Sequence, residues 1–214
     1  MFYNCRSLIS LDISNFNTSN VENMNNIFQN CESLISLNIS NFNTSKVNTM
    51  ISMFQNCKNL IHLDFSFDVS KVTAMSRMFR GCISITSIDV SSFNTTNVQF
   101  MSHMFSLCYS LEYLNLENFV GGNIKLIDCM FSDCYKLTSI NLANFETKNT
   151  TNMISIFKNC YSLKYLNISK FVTNRVSSFY SMFDNCISLE SLDLSNFDAS
   201  NGISTSKCFI IVIL

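Results

Sequence analysis

The chain of 214 residues contains no proline and no tryptophan, and it has only four glycines and two histidines. Turns must therefore be built mostly by Asn, Asp and Ser, which tolerate left-handed backbone and hydrogen-bond to their own backbone. The formal net charge is −1. Because positive charge is not in excess, nothing favours nucleic acid or an anionic membrane surface as a partner.

Long apolar runs and a leader are also missing. The apolar segment at 209–214 has six residues, whereas a helix needs about 20 to cross a bilayer. The first residues, Met1 to Cys5, contain no charged segment followed by an apolar one. The sequence therefore predicts no membrane span, no signal peptide and no surface anchor.

Cysteine, in contrast, is abundant and regularly spaced. Six of the seven intervals between eight of the ten cysteines are 26 residues, and one is 25. A fixed period of this length indicates a stack of structural repeats. Neighbouring cysteines of one column would have parallel side chains, a poor direction for a disulfide, so we expect a ladder of buried thiols. Its members are Cys5, Cys31, Cys57, Cys82, Cys108, Cys134, Cys160 and Cys186.

Each repeat combines two periodicities. The segment 11–14 alternates apolar and polar residues, which is typical of a half-buried strand. Between Val21 and Cys31, apolar residues recur at intervals of three and four, the pattern of one helix face. The sequence thus predicts an α/β solenoid of about eight coils, each a strand, a turn and a helix, with a parallel sheet on one face.

The repeats predict one solenoid domain over residues 1–209, cut inside a repeat at both ends, and a short apolar tail at 210–214. The third repeat lacks one residue before Phe67, which explains the single interval of 25. Uncapped solenoid ends expose strand edges that can pair with another chain. A structural segment that associates end to end, or a fragment of a longer array, is therefore the alternative to a binding function.

The repeat unit reads Met-Phe-x-x-Cys-x-x-Leu-x-x-Leu-x-Ile-Ser-Asn-Phe-x-Thr-Ser-x-Val-x-x-Met. It resembles the BspA-like family of leucine-rich-repeat surface proteins, and the resemblance covers residues 1–209. The resemblance implies an extracellular or surface-attached protein that mediates adhesion to host components or to other cells. This chain departs from the family pattern because it shows no leader and no surface anchor.

Tyrosines are concentrated in repeats five to seven. Tyr109, Tyr135 and Tyr161 follow the column cysteine in three consecutive repeats, and Tyr113 and Tyr165 fall on the exposed face of the predicted strands. Aromatic side chains on a polar surface are a common contact for proteins and sugars. We expect these five residues to bind a partner, with simple stacking along the solenoid as the alternative.

Carboxylates also fall on the exposed strand face. The position between the last two apolar strand residues is always Asp or Asn, and Asp64 and Asp89 occupy it in adjacent repeats. Paired strands would place these two carboxylates about 5 Å apart, as a contact for a cation or a glycan. The alternative is a hydrogen-bonded ladder of Asn and Asp.

Catalytic motifs are not recognised in this sequence. No Ser/His/Asp arrangement and no glycine-rich phosphate loop stands out. His103 and Cys129 share one column in adjacent repeats, but two ligands fall short of a zinc site, so neither a metal nor a cofactor is predicted. The sequence therefore predicts a non-enzymatic repeat protein that presents an extended surface to a protein or glycan ligand.

Overall fold

A computed structural model of the chain describes residues 1–198, 200 and 205–208. The backbone winds into a solenoid whose successive coils are stacked in parallel. Its strands are β1 (Ser36–Ile39), β2 (His62–Phe65), β3 (Tyr113–Asn115), β4 (Ser139–Asn141) and β5 (Tyr165–Asn167). Each strand pairs in parallel with the strand one repeat away, as Leu37 does with Leu63. The predicted leucine-rich-repeat-type solenoid with parallel strands is confirmed; Phe209 and the predicted tail at 210–214 lie outside the described residues.

The sheet is interrupted where the third repeat is one residue short. Strands β1 and β2 form one sheet, and β3, β4 and β5 form a second. Residues 88–90 of the intervening coil form no strand, and Ser87 makes only an isolated bridge to Tyr113. Phe65 and Phe67, which flank the missing position, contact each other with ring centroids 4.9 Å apart. The described solenoid therefore has two separate parallel sheets, one before and one after the missing residue.

The prediction of a helix in each coil is wrong, because the structure places no helix in the residues that it describes. Consecutive turns take its place. Within residues 50–60, the backbone N–H groups of residues 53, 55, 57 and 60 each donate to the carbonyl three residues earlier, over 3.1–3.4 Å. Ser52 and Asn56 have φ of 56° and 59°. A right-handed helix cannot contain such left-handed residues.

The turns satisfy their remaining N–H groups by bonding to the next coil. The N–H groups of residues 50, 52, 54 and 56 donate to the carbonyls of residues 74, 76, 78 and 80, over 2.7–2.9 Å. A helix would use these groups within one segment. Here they form a second inter-coil ladder besides that of the strands, and the same pattern recurs in the other coils.

Aromatic and sulfur columns fill the core between the two ladders. Eight phenylalanine rings stack with centroids 5.4–5.8 Å apart and planes within 10° of parallel, as expected from the repeat. They are Phe2, Phe28, Phe54, Phe79, Phe105, Phe131, Phe157 and Phe183. Each fully buried ring contributes about 1.5–3 kcal/mol relative to an exposed one. The hydrophobic effect thus acts along the whole stack.

The cysteine column forms the expected ladder of free thiols, buried from Cys31 to Cys186, whereas Cys5 is exposed. Each buried thiol also donates a hydrogen bond to the phenylalanine carbonyl of the previous coil, as Cys108 does to Phe79 over 3.2 Å. The same bond recurs in all seven coils. Cysteine therefore links coils through S–H donors, without disulfides.

Burial controls the ionisation of these thiols. It raises the pKa of Cys31 to about 11 and that of Cys108 and Cys186 to about 12. It raises the pKa of Cys57, Cys82, Cys134 and Cys160 as well. The column therefore stays protonated at neutral pH and is a poor nucleophile.

The thiol column predicts steep alkaline unfolding. Because the pKa is raised in the folded chain, stability is complete below the ordinary thiol pKa of 9.0 and is lost as pH rises through the folded values. Each buried thiol, from Cys31 to Cys186, should reduce the free energy of unfolding by about 1.4 kcal/mol per pH unit in this range. Urea titrations at several pH values above 9 measure this slope.

Single substitutions provide the control for that experiment. Cys108→Ala should reduce the slope by about 1.4 kcal/mol per pH unit, and Cys5→Ala, at the exposed position, should leave it unchanged. A slope that Cys108→Ala does not alter would contradict the role of buried thiols.

The two adjacent glycines of the fifth repeat predict a second contrast. A Cβ at Gly121 would lie 1.8 Å from the carbonyl oxygen of Glu146, whereas one at Gly122 would lie 3.9 Å from Lys148 Nζ. We expect Gly121→Ala to lower the free energy of unfolding by about 1–3 kcal/mol and Gly122→Ala to change it by less than about 0.5 kcal/mol. Urea unfolding followed by circular dichroism tests this, and equal effects would contradict it.

Candidate functional site

Two exposed tyrosines flank the sheet formed by β3, β4 and β5. Tyr113 begins β3, Ser139 begins β4 and Tyr165 begins β5. Side chains alternate along a strand, so the next residues, such as Leu114, are buried in the core while the tyrosines face outward. Tyr113 is 54% exposed and Tyr165 is 59% exposed.

A shallow groove of about 350 Å³ lies between these tyrosines. Ser139 separates them, and two strand spacings put the two rings roughly 10 Å apart. The nearby Glu190 carboxylate raises the pKa of Tyr165. The groove is lined further by small polar and aliphatic residues: Ile140, Asn141, Leu166, Asn167 and Ser191. It thus combines aromatic walls with hydroxyl and amide groups.

The Asn/Asp column closes the turns that follow β1, β3, β4 and β5. Asn115 accepts a hydrogen bond from the backbone N–H of Glu117 over 3.0 Å. Asn141 and Asn167 likewise accept from the backbone N–H of the residue two positions later in the chain. Such local bonds are typical of Asx turns. The side-chain oxygens of these three asparagines are therefore engaged in local turn bonds.

The two predicted carboxylates are not brought to the tyrosine groove. Asp64 lies on β2 opposite Asn38, in the other sheet. Asp89 accepts bonds from the Ser91 hydroxyl and N–H, which lower the pKa of Asp89. Since β2 pairs only with β1, no continuous sheet sets the 5 Å spacing that was expected between the two carboxylates.

The other three tyrosines stack on one another. Tyr109 and Tyr135 have centroids 4.6 Å apart and planes 3° from parallel, and Tyr161 follows Tyr135 at 5.2 Å. Burial, followed by nearby Asp133, raises the pKa of Tyr135. Tyr109 and Tyr135 are half-buried and stack face to face, whereas Tyr161 is tilted by 33° against Tyr135 and stays 38% exposed. The five predicted tyrosines form a stacked group of three and an open pair.

A separate cluster lies on the turn side of the solenoid. His103 Nε2 is 3.5 Å from Asp128 Oδ2, and the ligand atoms of His103, Asp128 and Cys129 all lie within 4.8 Å of one another. The Ser102 hydroxyl donates to Asp128 Oδ1 over 2.6 Å. Sequence reasoning paired His103 with Cys129 but missed Asp128, because helical spacing would rotate adjacent side chains about 100° apart.

Burial also affects the ionisation of this cluster. It lowers the pKa of His103, which the nearby Asp128 carboxylate opposes. It raises the pKa of Cys129 to about 11. The resting cluster therefore holds a neutral imidazole and a protonated thiol beside a carboxylate.

The repeats of this chain match one known protein family. The sequence matches the profile of a family described as "Mycoplasma protein of unknown function, DUF285" over residues 1–66, 36–141, 65–164 and 125–211. The chain belongs to this family. The overlapping DUF285 matches are typical of a profile that spans several repeats and can be aligned in more than one register.

Solved structures establish the fold class. A leucine-rich-repeat protein of T. pallidum shares 20% identity, with a TM-score of 0.51 over 80% of this chain and 72% of its own. One from Bacteroides ovatus shares 19% identity, with a TM-score of 0.50 over 78% of this chain and 39% of its own. These likenesses and the family match confirm the resemblance to BspA-like leucine-rich-repeat proteins at the level of the fold. A comparison with curated proteins found no match.

The residues that the structure describes contain no helix with the length and apolar character needed to traverse a bilayer.

The division of the tyrosines predicts different effects on stability. Tyr135→Ala removes a ring that stacks on Tyr109 and contacts Tyr161, so we expect the free energy of unfolding to fall by about 1–2 kcal/mol. Tyr113→Ala, at an exposed position, should change it by less than about 0.5 kcal/mol. Urea titrations of the two variants measure the contrast; a larger loss for Tyr113→Ala would invert the assignment.

Proposed function

We propose that this protein is a non-enzymatic leucine-rich-repeat scaffold that binds a protein or glycan partner through its strand face, as an adhesin does at a cell surface. The observation that carries the proposal is the pair of exposed tyrosines, Tyr113 and Tyr165, on either side of the groove at Ser139. The surface location comes from the resemblance to BspA-like proteins.

The composition of the strand column supports a binding role for this pair. The position that Tyr113 and Tyr165 occupy is Ser10, Ser36, His62, Ser87, Ser139 and Ser191 in the other repeats. Stacking of the coils therefore does not require tyrosine at this position. Large aromatic side chains placed on a rigid strand bring contact area at little cost in conformational entropy.

The chemistry of the groove supports recognition by contact. Its polar groups are hydroxyls and amides, which hydrogen-bond equally well to sugar hydroxyls and to peptide groups. The ring faces of Tyr113 and Tyr165 suit stacking on a sugar or an apolar side chain. A concave or grooved surface on a repeat solenoid is a common way to present an extended binding face.

The test uses the purified chain against two sets of probes, an array of mammalian glycans and an array of human cell-surface ectodomains. We expect binding to at least one probe, and the double variant Tyr113→Ala/Tyr165→Ala should weaken it by about tenfold or more. Tyr180→Ala, on the turn side and 38% exposed, is the matched control and should bind like the wild type.

Two results would overturn this proposal. One is the absence of any probe that binds, and the other is binding that the double tyrosine variant leaves unchanged. Sedimentation velocity at several concentrations addresses the alternative of end-to-end association. A size distribution that grows with concentration and does not depend on the two tyrosines would favour that alternative.

A further inference from the structure

We propose that His103, Asp128 and Cys129 form a binding site for a divalent transition metal such as Zn²⁺, on the turn side of the solenoid and independent of the strand-face groove. The cluster joins an imidazole nitrogen, a carboxylate oxygen and a thiol sulfur. These are the three ligand types that proteins use for zinc.

The backbone of the turns creates the cluster. His103 and Cys129 occupy equivalent positions of adjacent coils, with φ of 59° and 54°. The N–H of His103 donates to the Asp128 carbonyl over 2.9 Å, which fixes the two coils at this point. Equivalent residues one coil apart have parallel side chains, so histidine and cysteine project side by side and Asp128 lies next to both.

The distances are close to those that a metal requires. The three ligand atoms lie within 4.8 Å of one another. Metal–ligand bonds of about 2.0–2.3 Å in tetrahedral geometry would separate them by roughly 3.5 Å. A contraction of about 1 Å is within the range of side-chain rotation. His103 and Asp128 are each 27% exposed, so solvent can reach the cluster and a water can complete the coordination.

The surroundings support this assignment. The Ser102 hydroxyl bonds Asp128 Oδ1 over 2.6 Å and leaves Oδ2 directed at His103. Hydrogen bonds that orient a ligating carboxylate are a usual feature of metal sites. Basic side chains of Arg77, Arg80 and Lys158 lie nearby. Their positive charge opposes a doubly charged cation, so two anionic ligands are needed. The Asp128 carboxylate supplies one, and the Cys129 thiol supplies the other by releasing its proton to solvent as the metal–sulfur bond forms.

Cobalt(II) is the best probe, because its absorption spectrum shows both the coordination geometry and the presence of a thiolate ligand. Zinc(II) has a filled d shell and gives no such bands. The reduced, metal-free chain is titrated with Co²⁺ and then with Zn²⁺. We expect one equivalent of Co²⁺ to give a thiolate-to-cobalt charge-transfer band with tetrahedral d–d bands, and Zn²⁺ to displace it.

The variants use residues that other coils carry at the same positions, so the fold is preserved. Cys129→Ser copies Ser155 and should abolish the charge-transfer band, whereas His103→Asn copies Asn26 and Asp128→Asn copies Asn25. The last two should weaken Co²⁺ binding by about tenfold or more, and Ser102→Ala by roughly tenfold. Cys5→Ser removes the exposed thiol outside the site and should leave the titration unchanged.

Three results would overturn the site. They are a titration without a charge-transfer band, a band that persists in Cys129→Ser, and a band that Cys5→Ser removes. Thermal unfolding of each variant without metal identifies any loss caused by misfolding. Should one substitution unfold the chain, the other two ligand variants decide the question, since each removes a different ligand.

Discussion

Hydrogen bonds from coil to coil hold this structure together. Both the strands and the turns direct backbone N–H groups along the solenoid. The turn ladder continues from coil to coil, and the strand ladder joins it wherever neighbouring strands pair. A thiol from each coil adds a bond to a phenylalanine carbonyl of the previous one. Because one repeat alone can bury neither its phenylalanine nor its backbone groups, stability must come from the interfaces between repeats.

The second ladder, formed by the turns, requires residues with left-handed backbone conformation. Seven coils in the described part of the chain have two positions with φ between 54° and 74°, and the second of the two is Asn, Asp or Gly in all of them except the coil of Leu107. This composition is typical of positive φ. Asparagine contributes further through side-chain bonds between coils, as from Asn56 to Asn30 over 2.8 Å. The other position accepts many residue types, which allows His103 and Cys129 to stand side by side.

The same architecture separates structure from recognition. Core columns are occupied by similar apolar residues in each repeat, whereas the outward columns differ from coil to coil. The strand face carries the open tyrosine pair, and the turn side carries the His103–Asp128–Cys129 cluster. The two faces are built on different ladders, so a change on one can leave the other intact. Repeat proteins of this kind gain binding surface without altering their core.

The period of 26, the order of the columns, the parallel stacking and the free thiols could all be predicted from the sequence, because each repeat provides an independent copy of the same pattern. The absence of a helix from the described coils could not be predicted in this way. The spacing of Val21, Met24, Phe28 and Cys31 suits both a helix and a chain of turns with one buried side. Only the positive φ of residues such as Asn26 and Asn30 separates the two, and the asparagine column was the signal that went unused.

Tertiary structure alone decided which predicted residues come together. The sheet ends at β2 where one residue is missing, so Asp64 and Asp89 do not share a ladder. Three of the five tyrosines pack against one another, away from the strand-face groove. Asp128 reaches His103 because of turn geometry that no helical or strand periodicity describes. A repeated sequence pattern predicts which side chains are buried in every coil. Contacts that occur in one coil only depend on the local path of the backbone, which the pattern does not describe.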